Sequence, residues 1–219
     1  INSKIINNGL SNDASSGATG GGIYGNTNTV VNNCHFSGNL GYYGHSIAVT
    51  NTVNSSTIIG DSSSNTISSG VWNYNKVTNT NFYNNYIALD NMSVQNVNSK
   101  VENCKFFENT EAALRNLGHN TQVINCLFKD NNKAVKEFSN DSLHINNCSF
   151  INNYRTFYLI NSVGTEINNS LLFDNNYNIN FWNNGPTSFS DIKIDFCNFQ
   201  GGQTAGDNTG SSNVIYGNV

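Results

Sequence analysis

The chain has 219 residues, ten Lys and Arg against 14 Asp and Glu, a formal net charge of −4 and only 11% charged residues. Cations this sparse, with Arg115 and Arg155 the only arginines, exclude the clustered Lys and Arg that nucleic-acid binding needs. No apolar run approaches the roughly 18 residues of a membrane span.

Asn accounts for 46 residues, with 19 Gly and one Pro. Asn hydrogen-bonds locally and tolerates left-handed backbone, so this composition describes a chain of tight bends. Its low charge sets it apart from disordered chains, which pair low hydrophobicity with high net charge. The chain opens on Ile1 among polar neighbours, with neither an initiator Met nor a signal peptide, which reads as a mature product or a piece excised from a longer protein.

The hexamer Val101-Glu102-Asn103-Cys104-Lys105-Phe106 recurs at Val123–Phe128 and Ile145–Phe150, each copy starting 22 residues after the last. Aligned on it, the chain divides into nine rungs, beginning at Ile5, Val31, Val53, Val77, Val101, Val123, Ile145, Ile167 and Ile194. The steps of 22–27 residues are a solenoid period. Asn, Thr and β-branched residues argue against helical repeats. Short alternating runs between bends predict three parallel strands per coil.

Position one is always Val or Ile, and position six is Leu10, Phe36, Ile58, Phe82, Phe106, Phe128, Phe150, Leu172 and Phe199. Position four holds Cys34, Cys104, Cys126, Cys148 and Cys197, with Asn8, Ser56, Thr80 and Ser170 in the other rungs. Position five is mixed and mostly polar, so four and six face inward and five faces out. Asn fills position three in seven rungs and marks a corner; position nine, from Asp13 and Asn39 to Asn175 and Gly202, is a second bend column. Asn at such corners takes the left-handed conformation and bonds its counterpart one rung away. A third apolar strip runs through Ala88-Leu89, Ala134-Val135, Phe157, Leu159, Ile179 and Phe181. The expected fold is all-β: one right-handed parallel β-helix of about nine coils over residues 1–219.

Two Gly/Ser-rich stretches, 11–22 and 201–213, read as projecting loops in the end rungs. The repeat is poorest over 62–75, where Trp72 stands alone. Lys4-Ile5 and Lys193-Ile194 open similar end rungs, and Ile23-Tyr24-Gly25-Asn26 and Ile215-Tyr216-Gly217-Asn218 follow the two loops. The chain thus stops mid-coil at Val219, where a segment like Ile1–Ile5 would come next. With no amphipathic capping helix, both ends expose parallel edges that ordinary proteins cover. End-to-end self-association, or continuation within a longer protein, is the expectation.

Gly20-Gly21-Gly22-Ile23-Tyr24, leading into Val31-Asn32-Asn33-Cys34-His35-Phe36-Ser37-Gly38-Asn39, resembles the right-handed parallel β-helix repeats of polymorphic-membrane-protein-type surface proteins and Asn-rich adhesin-like proteins. The likeness spans nearly the whole chain. It implies cell-surface display and adhesion, hence an extracellular protein. Surface glycans or proteins are the partners to expect beside further copies, and the lack of a long apolar run argues against membrane insertion in this segment.

The chemistry-bearing motifs have simpler readings. All five Cys share one inward column, where stacked Cβ atoms nearly 5 Å apart with parallel vectors suit core filling better than disulfides. No Cys or His spacing suits zinc. Gly20–Gly25 matches a dinucleotide-binding pattern in form but lacks its strand before, helix after and downstream acid. Glu108, Asp130 and Asp174, with Lys105 and Lys129 nearby, are the best lyase or hydrolase candidates. Asn152 interrupts that column, which reads as turn decoration. Tyr42, Tyr43, Trp72, Tyr74, Tyr83, Tyr86, Tyr158 and Trp182 divide between core and a sugar-stacking flank. Asn54, Asn91, Asn140, Asn147 and Asn168 open glycosylation sequons. The four His share no column. The sequence therefore reads as a non-enzymatic stalk or fibre unit without cofactor, metal or catalytic residue. A carbohydrate-active β-helix enzyme or glycan-binding module is the alternative.

Overall fold

Residues that alternate inward-apolar with outward-polar form strands, and a left-handed residue every few positions turns each strand into the next. The structure, a computed structural model, describes residues 3–8, 21–26, 28–39, 46–60, 69–91, 98–117, 120–138, 142–160, 164–182, 192–199 and 214–216. All the pairings between their strands are parallel, and they build a β-solenoid with three faces. The first face carries position one and the third the last apolar strip. Between them, the second face is a nine-stranded sheet running from Ser3–Ile6 to Asn198–Phe199.

The register follows the columns. Val101 lies opposite Val77 and Val123, and Phe106 opposite Phe82 and Phe128. Val31 through Ile194 in position one are buried, as are Phe36 through Leu172 in position six. Phe82, Phe106, Phe128 and Phe150 stack with centroids 4.6–5.0 Å apart and planes within 9°. Each such side chain removed from water contributes roughly 1.5–3 kcal/mol, so the core is a column of like rings spaced by the strand separation.

Corners fall where the Asn column lies. Position three is left-handed in Asn33, Asn79, Asn103, Asn125, Asn147 and Asn169, with φ of 49–54°, and in Ser55 and Phe196. Position four then has a task beyond filling space. Its side chain donates to the carbonyl two residues back: Cys104 to Glu102, Cys126 to Ile124, Ser56 to Asn54, Thr80 to Thr78 and Ser170 to Asn168, at 2.8–3.3 Å. Cys, Ser and Thr interchange here because each is small and carries a donor.

The second bend divides between two positions. Position eight is left-handed in Gly38, Asn84, Glu108, Asp130, Asn152 and Asp174. Position nine turns its carboxamide inward: Asn39, Asn85, Asn109, Asn131 and Asn153 are at most 2% exposed. Asn131 Nδ2 donates to Asn153 Oδ1 (3.0 Å) and to the Phe106 carbonyl (3.2 Å), while its Oδ1 accepts from the backbone N and Nδ2 of Asn109 (3.1 and 2.8 Å). The pattern repeats from Asn85 to Asn175. The Asn ladder is therefore buried at position nine, whereas the position-three Asn residues are solvent-facing corners.

Three expectations need correction. First, Ile5 pairs with Phe36, not Val31, and Asn8 N donates to Asn39 Oδ1 (3.0 Å). Ile5 thus belongs to position six and Asn8 to position nine, because the Asn7-Asn8 bend aligns with Gly38-Asn39. The likeness of the two end rungs fails for the same reason: Ile23-Tyr24 pairs on the third face with Ile47-Ala48, while Tyr216 lies opposite Ile194 on the first.

Second, nine coils is too many. The solenoid makes about six turns, matching the six steps from Val31 to Ile167 (22, 24, 24, 22, 22 and 22 residues). Beyond these, the outer rungs contribute only some of their strands among the described residues. Third, the poor repeat around Trp72 contains a ten-residue strand, Ser69–Thr78, which with Ile47–Asn54 runs from third face to first without a corner. That joins the two faces into one 15-stranded sheet. The expected loop residues 11–20 and 201–213 lie outside the described residues.

Removing a buried carboxamide strands its partners, each at about 1–3 kcal/mol. Asn131→Leu is expected to lose roughly 3–5 kcal/mol in denaturant unfolding. At the solvent-facing left-handed corner Asn125→Gly should be near neutral, and Asn125→Val should cost about 1–2 kcal/mol. Equal costs for Asn131→Leu and Asn125→Gly would refute the division of roles.

Candidate functional site

The third face brings charged side chains and aromatic rings together, several of them largely buried. Parallel strands Ile87–Asn91, Ala112–Asn116, Lys133–Glu137, Arg155–Ile160 and Tyr177–Trp182 stack in register. One column runs Trp72, Asp90, Arg115, Lys136, Tyr158, and another Lys133, Arg155, Tyr177. A 22-residue period thus turns residues distant in sequence into neighbours.

These groups pair across coils. Arg115 grips Asp90 with two nitrogens, Nε to Oδ1 at 2.8 Å and Nη2 to Oδ2. Glu111 accepts from Lys133 Nζ (2.8 Å) and Lys136 Nζ (2.6 Å). Burial pushes the Asp90 carboxyl above its ordinary range, and Arg115 offsets this only in part. Burial also pushes Glu111 up, but the bonds from Lys133 and Lys136 outweigh it, so that carboxyl titrates below its ordinary range. Lys133 titrates below its own ordinary range, since burial, with Lys136 and Arg155 adding to it, outweighs Glu111.

Arg155 is different. Its guanidinium lies over the rings of Tyr154 (5.0 Å) and Tyr158 (5.5 Å), and its Nε is buried without a hydrogen-bond partner. No carboxylate pairs with it among the described residues. Tyr154 meets Tyr177 edge-on at 5.3 Å and is 43% exposed. Cations and exposed rings together are suited to holding an anionic group or a sugar face. The sequence carried the signal in the spacing of Glu111, Lys133, Arg155 and Tyr177, each 22 residues from the last.

The acidic column stays a row of corners. Glu108, Asp130 and Asp174 sit at φ of 55–59°, Asp130 Oδ1 accepts from Asn152 Nδ2 (2.5 Å), and Lys129 Nζ lies 3.7 Å from Asp130. Among the aromatics, Tyr74 is a core residue and Tyr158 is only 7% exposed. Trp72 and Tyr86 are half-buried on the third face, Tyr83 stacks on Phe107 on the second (5.1 Å), and Tyr42 and Tyr43 lie outside the described residues. Gly22 is explained by close approach: a Cβ there would meet the Ser46 carbonyl at 2.5 Å. Sequon residue Asn91 is fully buried. Among the described residues no group of three His, Cys, Asp or Glu is placed to hold a metal ion.

No protein-family model matches this chain, and neither a curated protein nor a solved structure matches it. What the geometry defines is a parallel β-solenoid whose third face joins paired charges to aromatic rings.

Two measurements follow. None of the five cysteines forms a disulfide; four are buried and Cys34 is half-buried. Burial raises the Cys126 and Cys197 thiols, and contact with Cys126 together with burial raises Cys148. A thiol reagent at neutral pH should therefore modify Cys34 in the native protein and the other four only on unfolding; rapid native labelling of Cys126 would contradict the packing.

Glu111, titrating low, adds stability above the ordinary carboxylate pKa of about 4.3 and loses it as pH falls through the lower folded value. Asp90, titrating high, contributes in the opposite sense: its share is present in acid and fades as pH rises through the folded value. Glu111→Gln should accordingly be less stable than the parent near pH 7, with the gap closing in acid. A gap that widened on acidification would reverse the assignment.

Proposed function

We propose that this chain is a non-enzymatic stalk or fibre unit of an extracellular, adhesin-like surface structure. In this reading its coils continue end to end, through further coils of a longer chain or through further copies. The observation that carries the reading is the uninterrupted like-on-like stacking of the core. From Asn85 to Asn175 each carboxamide bonds the next, and from Phe82 to Phe150 each ring stacks on the next. Such a column transmits length and stiffness coil by coil and is completed by whatever equivalent coil lies beyond. Parallel strands at either limit of the nine-stranded sheet, Ser3–Ile6 and Asn198–Phe199, present the groups a further coil would pair.

Such a module works by presentation: rigid reach, resistance to proteolysis and a repeated lateral surface. Electron microscopy of the purified chain, beside an assay for sugar release from acidic polysaccharides with and without calcium, tests this reading. Straight rods of uniform width that join into longer filaments, with no sugar released, are expected. Release of reducing ends or unsaturated sugars would replace the reading with a carbohydrate-active enzyme. Particles that stay single at high concentration would leave only the covalent form of end-to-end continuation.

A further inference from the structure

We propose that the third face binds an acidic saccharide, with Arg155 recognising its carboxylate and Tyr154 and Tyr177 flanking its ring. The argument begins with the cations already engaged. Arg115 is matched by Asp90, and Lys133 and Lys136 share Glu111. Arg155 is left with two tyrosine rings and a buried Nε that donates to nothing. A half-buried guanidinium without an anion bears an uncompensated desolvation cost. It also bears on its neighbour: Arg155 is one of the groups that lower the Lys133 ammonium. A carboxylate on the outer Nη1 and Nη2 of Arg155 would relieve both by neutralising the guanidinium, the buried Nε itself being closed to a ligand.

The chemistry of the ligand follows from what surrounds that charge. Nucleic acid would need several unpaired cations along a track, whereas this face has one among the described residues. The guanidinium fork matches a carboxylate in two-point geometry. Beside it stands Tyr154, 43% exposed, with Tyr177 against its edge. Aromatic rings offer an apolar body with a polar tip, which suits the C–H face of a pyranose, while the carboxylate meets the cation. One negative charge on a ring with hydroxyls is a uronic acid residue. An acidic peptide would satisfy the charge and leave the rings without a role. The inference does not depend on end-to-end stacking.

The test is calorimetric titration of the whole chain with oligoglucuronate, its methyl ester and poly-glutamate. Oligoglucuronate should bind and weaken with added salt. The methyl ester, which keeps the ring and loses the charge, should bind at least tenfold more weakly, and poly-glutamate at least tenfold more weakly as well. Arg155→Gln and Tyr154→Ala, each checked for an unchanged circular dichroism spectrum, should each lower affinity for oligoglucuronate tenfold or more. Equal binding of the ester, equal binding by Arg155→Gln, or no binding by the parent chain would overturn the proposal. Poly-glutamate binding as tightly as the sugar would overturn it in favour of an acidic polypeptide. The ester comparison uses no variant, so it decides the matter even where a substitution unfolds the coil.

Discussion

A solenoid has to turn three times in every coil without burying an unpaired backbone group, and in this chain the buried asparagine ladder meets that demand at one of the turns. Asn131 illustrates the economy: one carboxamide accepts from the backbone and side chain of Asn109 and donates to Asn153 and the Phe106 carbonyl. Unpaired, such groups would cost about 1–3 kcal/mol each in a dry interior. Repeated coil on coil, the ladder holds the rise at the strand separation. At that spacing the phenylalanines stack face to face and the position-four donors reach their carbonyls. Shift the ladder and both lose their geometry.

Much of this was legible because a fixed repeat exposes burial directly. Positions one and six are apolar in every rung, and from Val31 to Ile194 and from Phe36 to Leu172 they form the core. The small residues of position four read only as filler. That they donate to a carbonyl two residues back becomes visible in retrospect from the substitutions alone, since Cys, Ser and Thr share a hydrogen-bond donor as well as a small volume. The two Asn columns could not be told apart by identity. Asn103 faces solvent and Asn109 is buried, yet both sit at bends. What distinguishes them is the neighbour: a left-handed Glu108 takes the turn so that Asn109 is free to point inward.

The misplaced first rung has a comparable cause. Ile5 is β-branched like every position-one residue, and only the pairing of Ile5 with Phe36 assigns it to position six. A strand that runs through a corner, as Ser69–Thr78 does, likewise has no signature beyond a missing bend. The charged and aromatic cluster of the third face is hidden in the linear sequence for a different reason. Its residues are spread over successive coils and become a cluster only when the 22-residue register brings Glu111 against Lys133 and Arg155 against Tyr177. In a repeat protein, spacing equal to the period is the proximity signal, and it outranks nearness in sequence.

The account is tested most directly at the side-chain amides of the ladder. Hydrogen exchange of the Asn carboxamide protons, followed by nuclear magnetic resonance, separates buried, doubly bonded groups from solvated corners. Asn109, Asn131 and Asn153 should show side-chain N–H protons protected to the same degree as core backbone amides, while Asn103 and Asn125 exchange at the rate of solvated Asn. Free exchange at Asn131, with backbone protection intact around it, would contradict the claim that the ladder sets the coil.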